Sequence, residues 1–314
     1  MGQVTSLDRR ALCPKWLTNP RALRRAVAVG SVPPVDSAPG FAIWAEDPPA
    51  SPVVISVPHA GRDYPLSLRA ALRSSLAAAQ LLEDRHVDAV AHAARTTETL
   101  LVQLRPRAWI DLNRAEDERD PAVDEGASVA TGSAKVAHGL GLIPRRGGAG
   151  ELWRRRWSDA EVAARIASDH RPYQLALGRA LAATRARWGV AVLLDLHSMP
   201  PLTGAAKGVG VVLGDCWGET AAPRLVAAAE SAAEAMGMRV QLNTPYAGGH
   251  ILARHGRPAT NVHAVQLELD RSLYLDRALD RPGPGLAHTA RLVRRVIAAL
   301  ADEALGYAAP LAAE

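Results

Sequence analysis

In residues 189–201, GVAVLLDLHSMPP, an aspartate and a histidine stand two apart at the end of an apolar run. Side chains two apart share a face of a strand, so Asp195 and His197 point the same way. A carboxylate beside an imidazole there suits a metal ligand, a catalytic base or a substrate anchor. It also suits a strand that simply ends in polar residues. The same junction recurs along the chain. SPVVISVP runs into His59 and Gly61, residues 107–110 run into Asp111-Leu112-Asn113-Arg114, and HAVQLELD carries Glu268 near its end. Arginine donates two parallel hydrogen bonds to a carboxylate, and asparagine can hold the same group or an amide. A glutamate in a core strand is costly if buried unpaired, so Glu268 is either exposed or functional. Metal sites are built from strand ends that converge in space. Repetition of the junction therefore strengthens each instance.

Two more segments carry candidates. LLEDRHVDAVAHAART, residues 81–96, has helical spacing, with Asp84 and Asp88 four apart on one face. Either carboxylate could enter a site, or both could serve the first turn of a helix. Tyr246-Ala247-Gly248-Gly249-His250 is a glycine-rich turn that presents a further histidine.

The elements that must position these residues alternate. Strands are expected at 41–44, 51–57, 99–104, 107–110, 190–194, 208–213, 239–243 and 263–269, rich in valine and leucine. Helices are expected at 66–79, 81–96, 158–188, 221–237 and 286–305. Ser158 and Glu161 form a potential capping box, and Pro172 should kink or restart the long helix. Continuous apolar strands between helices indicate an α/β fold. Residues 115–150 are rich in Asp, Glu and Gly and lack periodicity, which indicates a covering loop over one rim. Residues 1–40 carry five prolines and read as a partly ordered arm, leaving 41–314 as a single domain.

Composition narrows the function further. The 314 residues are 48% hydrophobic but only 4% aromatic, and the net charge is +5. The positive charge is almost all arginine, spread along the chain rather than set in one stripe with aromatics, which argues against nucleic-acid binding. Cys13 and Cys216 stand far apart, against a disulfide framework or a cysteine-rich zinc site. No run is long and apolar enough for a membrane helix, and the N-terminus lacks a signal peptide's apolar core. A cytoplasmic protein with no membrane partner is expected.

The motifs VVISVPHAG (53–61), EDRHVD (83–88), IDLNR (110–114), HRPY (170–173), LLDLHSMP (193–200), YAGGH (246–250) and VQLELDRSLYLD (265–276) together resemble the N-formylglutamate amidohydrolase family. The resemblance implies a three-layer α/β/α sandwich around a central mixed, mostly parallel sheet, similar to zinc carboxypeptidases and the aspartoacylase group. It implies one Zn²⁺ per chain at the strand ends, with His59 and His197 as ligands. Asn113 and Arg114 match the pair that holds the substrate carboxylate, Arg107 the arginine that stabilises the oxyanion, and Glu268 the general base. In the wider group a ligand glutamate follows the first histidine by three residues. Here that position is Arg62, so the third ligand must come from elsewhere, with Asp84 the candidate and Asp88 the alternative. Asp195 would orient His197 from behind, and His250 could touch substrate. The implied reaction is hydrolysis of an N-acyl, here N-formyl, amide on a small carboxylate-bearing amino acid. The alternatives are a related metallohydrolase for another N-acyl amino acid or small peptide, and a non-catalytic binding relative.

Overall fold

The computed structural model describes residues 40–128, 133–148 and 150–308. The arm expected over 1–40 lies outside these residues except for Gly40. Phe41–Trp44 forms β1 and Val53–Val57 forms β2. The helix expected over 66–79 is two helices, α1 (Leu66–Ala71) and α2 (Leu76–Gln80), because Leu72 turns extended and bridges to Trp153. Only Val87–Ala94 of the segment 81–96 is helical, as α3. His86 just before it is left-handed, with φ 58°, a conformation that no right-handed helix accommodates. Asp84 therefore sits in a turn and not on the helix. Its N–H donates to the His59 carbonyl at 3.0 Å, tying that turn to the end of β2.

Thr99–Gln103 is β3. The strand expected at 107–110 is instead a turn, closed by Trp109 N–H donating to Pro106 O at 2.8 Å. The segment 115–150 has more structure than a loop. It carries α4 (Ala134–Ala137) and a small hairpin of β4 (Arg146–Gly147) and β5 (Gly150–Glu151). Ser158 caps α5 (Asp159–Arg165) through the expected reciprocal bonds with Glu161. Pro172 has no N–H to offer the carbonyl four residues back. The helix widens just before it into a π turn, Ile166–His170, and resumes as α6 (Arg171–Trp188).

The rest of the chain supplies β6 (Ala191–Met199), β7 (Val211–Gly214), α7 (Pro223–Glu234), β8 (Val240–Leu242), α8 (His250–His255), β9 (Val262–Asp270) and α9 (Leu286–Ala308). Seven strands form one mixed sheet in the order β1-β3-β2-β6-β9-β7-β8. The central four, β3, β2, β6 and β9, are parallel, while β1 and β7 pair antiparallel with β3 and β9.

Both faces of the sheet are covered. Ile55, Val57, Leu194 and Leu196 pack with residues of α3, α7 and α9, and Val54, Leu193 and Ala264 pack with residues of α5, α6 and α8. The registers Ser56↔Asp195↔Gln266 and His197↔Glu268 line polar residues across the carboxyl ends of three parallel strands. Strand alternation puts them on the α6 side. Among the described residues no helix is long and apolar enough to cross a membrane.

Candidate active site

His59 follows β2, and its approach is close. A Cβ on Gly61 would lie 2.0 Å from the Arg105 carbonyl, so only glycine lets the turn pack there. His197 comes from the end of β6, and Asp84 from the turn bonded to His59. All three are buried, at 2%, 3% and 3% exposure. His59 Nε2–H donates to Asp111 Oδ1 at 2.7 Å and His197 Nε2–H to Asp195 Oδ2 at 2.9 Å. Each carboxylate places a proton on Nε2, because only an N–H can face it. Both Nδ1 atoms then turn toward Asp84 Oδ2, at 3.6 Å from His59 and, as a hydrogen bond, at 3.0 Å from His197. His59 Nδ1 has no hydrogen-bond partner among the described residues.

Tetrahedral zinc with bonds of about 2.1 Å needs donor atoms roughly 3.4 Å apart. The two measured separations bracket that value, and the three donor atoms lie within 4.8 Å of one another. The donor set of two imidazoles and one carboxylate, leaving further positions open, suits a hydrolytic metal.

Electrostatics point the same way. Burial alone would raise the Asp84 carboxyl, but hydrogen bonds and charge from His197 and His59 hold it well below the usual range. Burial likewise disfavours a charged His197, yet Asp195 and Asp84 hold it well above the ordinary histidine value. Carboxylates on both sides of the imidazole thus favour positive charge between them.

Support reaches outward from the centre. Asp195 Oδ1 accepts from Ser56 Oγ–H at 2.8 Å, and Ser56 Oγ lies 3.0 Å from the buried Tyr173 hydroxyl. Asp111 accepts from His59, from Arg107 Nε–H at 2.8 Å and from the Asn113 N–H at 2.9 Å. Despite full burial, the charges of Arg107, Arg114 and His59 hold Asp111 well below its ordinary value. Arg271 donates from Nη2 to Asp84 Oδ1 at 3.2 Å and from Nε to Ser198 Oγ at 3.2 Å, which leaves Asp84 Oδ2 to the histidines.

Asp88 faces elsewhere: Arg62 grips it with two bonds, at 3.0 and 2.7 Å. The alternative third ligand is therefore paired outside the centre, by the same Arg62 that stands at the wider group's glutamate position.

Glu268 is 8% exposed, directly across the ladder from His197. Burial pushes its carboxyl up to about 7, with His197 opposing and Asp84 adding to the rise. A carboxyl poised there can take and return a proton near neutral pH.

Arg107 commits Nε to Asp111, while its charge reaches Asp84 and Glu268. Arg114 differs from the free two-pronged fork expected of it. Nε donates to Leu140 O at 2.7 Å and Nη1 to Asn113 O at 2.6 Å. Among the described residues only Nη2 is without a hydrogen bond, 3.7 Å from Asp111. Asn113 Oδ1 accepts the Ile251 N–H at 2.9 Å, so its amide NH₂ points away from that bond.

The segment carrying this pair is held from two sides. His170 Nε2–H donates to Arg114 O and Gln174 Nε2–H to Leu112 O, both at 2.8 Å, and His255 Nε2–H donates to Gln174 Oε1 at 2.8 Å. From α8, a Cβ on Gly249 would come within 2.5 Å of Asn113 Oδ1. His250 opens α8 beside this pair, near His170 with ring centroids 5.7 Å apart. Its buried Nε2 has no hydrogen-bond partner among the described residues. Burial, with His170 and Arg254, brings its pKa down to about 4, so the ring is neutral.

The strand ends thus bring His59, His197, Asp195 and Glu268 together with Asp84 from the turn before α3, with Arg107, Asn113, Arg114 and His250 around them. Asp111, Arg271, Ser56, Tyr173, His170 and Gln174 carry no sequence-level assignment. Buried-charge reasoning applied to IDLNR could have found Asp111, which lies two residues before Asn113.

Residues 51–275 match the family model described as N-formylglutamate amidohydrolase. An N-formylglutamate deformylase of Pseudomonas putida is 33% identical over 233 residues, covering 72% of this chain and 82% of the relative. One of Pseudomonas aeruginosa is 34% identical over 140 residues, covering 43% and 52%. Among solved structures, an N-formylglutamate amidohydrolase from Ralstonia eutropha JMP134 superposes with TM-score 0.76 at 32% identity, over 84% of this chain and 97% of that one. A gene product of Agrobacterium tumefaciens shares the fold, with TM-score 0.59 at 18% identity over 86% and 96%.

Proposed function

Because this chain belongs to the N-formylglutamate amidohydrolase family, we propose that it hydrolyses the formyl amide of N-formylglutamate, releasing formate and glutamate, with a Zn²⁺ ion held by His59 Nδ1, Asp84 Oδ2 and His197 Nδ1. The observation that carries this reading is the convergence of those three buried donor atoms beside Glu268. When bound, the ion supplies Lewis acidity, polarising the formyl carbonyl and making water more acidic.

The residues of the chain do the rest. Asn113 and Arg114 Nη2 hold the α-carboxylate and so fix the scissile carbonyl against the centre. Glu268 takes a proton from the attacking water as its oxygen bonds the formyl carbon. It returns that proton to the amine nitrogen as the C–N bond breaks. Arg107, fixed through Asp111, faces the negative charge that develops on the carbonyl oxygen. Asp111 and Asp195 keep both histidines in the tautomer that offers Nδ1. His250 lines the substrate side as a neutral ring.

The test is formate release from a panel of N-formyl, N-acetyl and N-succinyl amino acids, with metal analysis of the same protein. Formate from N-formyl-L-glutamate, about one zinc per chain, and loss of both metal and turnover in His197→Ala are expected. Full turnover by a metal-free His197→Ala protein would overturn the metal centre. Preference for an acetyl or succinyl substrate would overturn the formyl assignment.

A further inference from the structure

Arg165, the last residue of α5, is a buried cation that the mechanism above does not use. It is 3% exposed and makes no ion pair among the described residues. Its hydrogen bond runs from Nη1–H to Trp109 O at 3.1 Å, and its buried Nε has no partner among the described residues. A guanidinium taken out of water without a carboxylate is costly. Burial brings its pKa down to about 9, which still leaves it charged at neutral pH. Two indoles stand where a carboxylate would. The guanidinium carbon lies 3.9 Å from the centre of the Trp109 ring and 3.8 Å from that of Trp157, so aromatic faces meet the charge.

The two indoles differ in how they are held. Trp157 is 1% exposed and fixed by its own backbone: its N–H donates to Val123 O at 2.7 Å, and its carbonyl accepts the Glu125 N–H at 2.9 Å. Trp109 is half-buried and closes the turn that carries Arg107, through its bond to Pro106 O. The side chains that grip Trp109 come from the π turn Ile166–His170 and the residue before it. Arg165 stacks on the ring and bonds the carbonyl, and Asp169 Oδ2 accepts the indole N–H at 3.0 Å. His170, at the end of the same turn, bonds Arg114 O. π turns recur at functional sites, and this one grips the chain on both sides of Asp111.

We propose that Arg165 is a positioning residue: by holding Trp109 against the fixed Trp157 it sets the turn at 106–109 and keeps Arg107 aimed at the reacting carbonyl. The role of Arg107 rests on the deformylase reading; its placement does not. The chain of contacts is short, from Arg165 to Trp109, two residues back along the turn to Arg107, and from Arg107 Nε to Asp111 Oδ2 at 2.8 Å. An apolar side chain of similar length would occupy the same space without burying a charge. It would lack the bond to the Trp109 carbonyl and the planar stack that a guanidinium makes.

The experiment compares wild-type, Arg165→Met, Arg165→Lys, Arg107→Ala and the Arg107→Ala/Arg165→Met double variant. It measures kcat and KM for N-formyl-L-glutamate, zinc content, and the crystal structure of Arg165→Met. A misplacement of about 1 Å can cost about 10²-fold. Arg165→Met should lower kcat about 10–100-fold, with KM and zinc content changed less than about twofold. In the Arg107→Ala background it should lower kcat no further, because both changes remove the same contribution. Arg165→Lys keeps a charge and a donor for Trp109 O and should recover part of the loss. In crystals of Arg165→Met, Arg107 should part from Asp111 by roughly 1 Å. Unchanged kcat, a loss that multiplies in the double variant, or an Arg107 still seated on Asp111 would each overturn the proposal. If Arg165→Met does not fold, Arg165→Lys in the same cycle, with a smaller loss, decides by the same criteria.

The crystal structure separates the proposal from the function it rests on. A displaced Arg107, in a protein that releases no formate, removes the deformylase reading alone. Formate release with Arg107 unmoved removes only the positioning role.

Discussion

Glu268 is the residue whose ionisation should be visible in the rate. It must be a carboxylate to accept a proton, so kcat/KM should rise with pH through its pKa. Burial places that value at about 7 in the cation-free site. A cation held by Asp84 and His197 favours the charged carboxylate, so the limb should move to lower pH as metal is loaded. Glu268→Gln should abolish this limb and lower kcat by about 10²–10⁴ while metal stays bound; pH–rate profiles with metal analysis check both. Arg271 tests the support of the third ligand. Arg271→Ala frees Asp84 Oδ1 and should weaken zinc binding by about 10–100-fold, measured by competition with a chelator. His59, Asp195, His197 and Glu268 were readable because each follows or interrupts an apolar run. Arg271 was not, because its partner Asp84 lies 187 residues away and nothing local marks the contact.

At the scale of elements, the strands were more legible than the segments that carry the clamp. Apolar alternation is a local property, and β2, β6 and β9 show it plainly. The helix boundary at 87 depends on the left-handed His86, which its hydrophobic spacing does not encode. The turn at 107–110 depends on Pro106 and on the pairing of Asp111 with Leu142, so an apolar run there reads falsely as a strand. The clamp is consequently held by α6 and α8 and not by a strand of its own. Gly249→Ala would drive a methyl into Asn113 and shift the pair; a displacement of that order can cost about 10²-fold. We expect it to raise KM for N-formyl-L-glutamate and leave zinc content unchanged, checked by steady-state kinetics and metal analysis.

For the whole molecule, the centre joins β2, β6 and the turn before α3, so a bound ion cross-links parts of the chain far apart in sequence. An ion that binds the folded state at 100 times its dissociation constant adds about 2.7 kcal/mol. Chelation should therefore lower the Tm, and zinc should restore it in wild-type but not in His197→Ala protein; thermal scans check this. The α/β architecture and mixed sheet followed from strands alternating with helices. Which strands run antiparallel was not legible, since direction depends on connections and not on composition.

The proposed metal donors stand on strand ends and the turn bonded to them, whereas Asn113 and Arg114, the proposed carboxylate clamp, stand on a segment bonded to α6, α8 and residues 140–142. The two halves of the site can therefore change independently. Exchanging residues 115–150 between relatives should transfer preference among N-formyl amino acids to the recipient, with zinc stoichiometry inherited from the host; parallel substrate panels and metal analysis on the chimeras would show whether selectivity and metal loading separate in this way. Transfer of substrate preference without transfer of metal loading would mean that new substrates in this framework require new recognition segments rather than new chemistry.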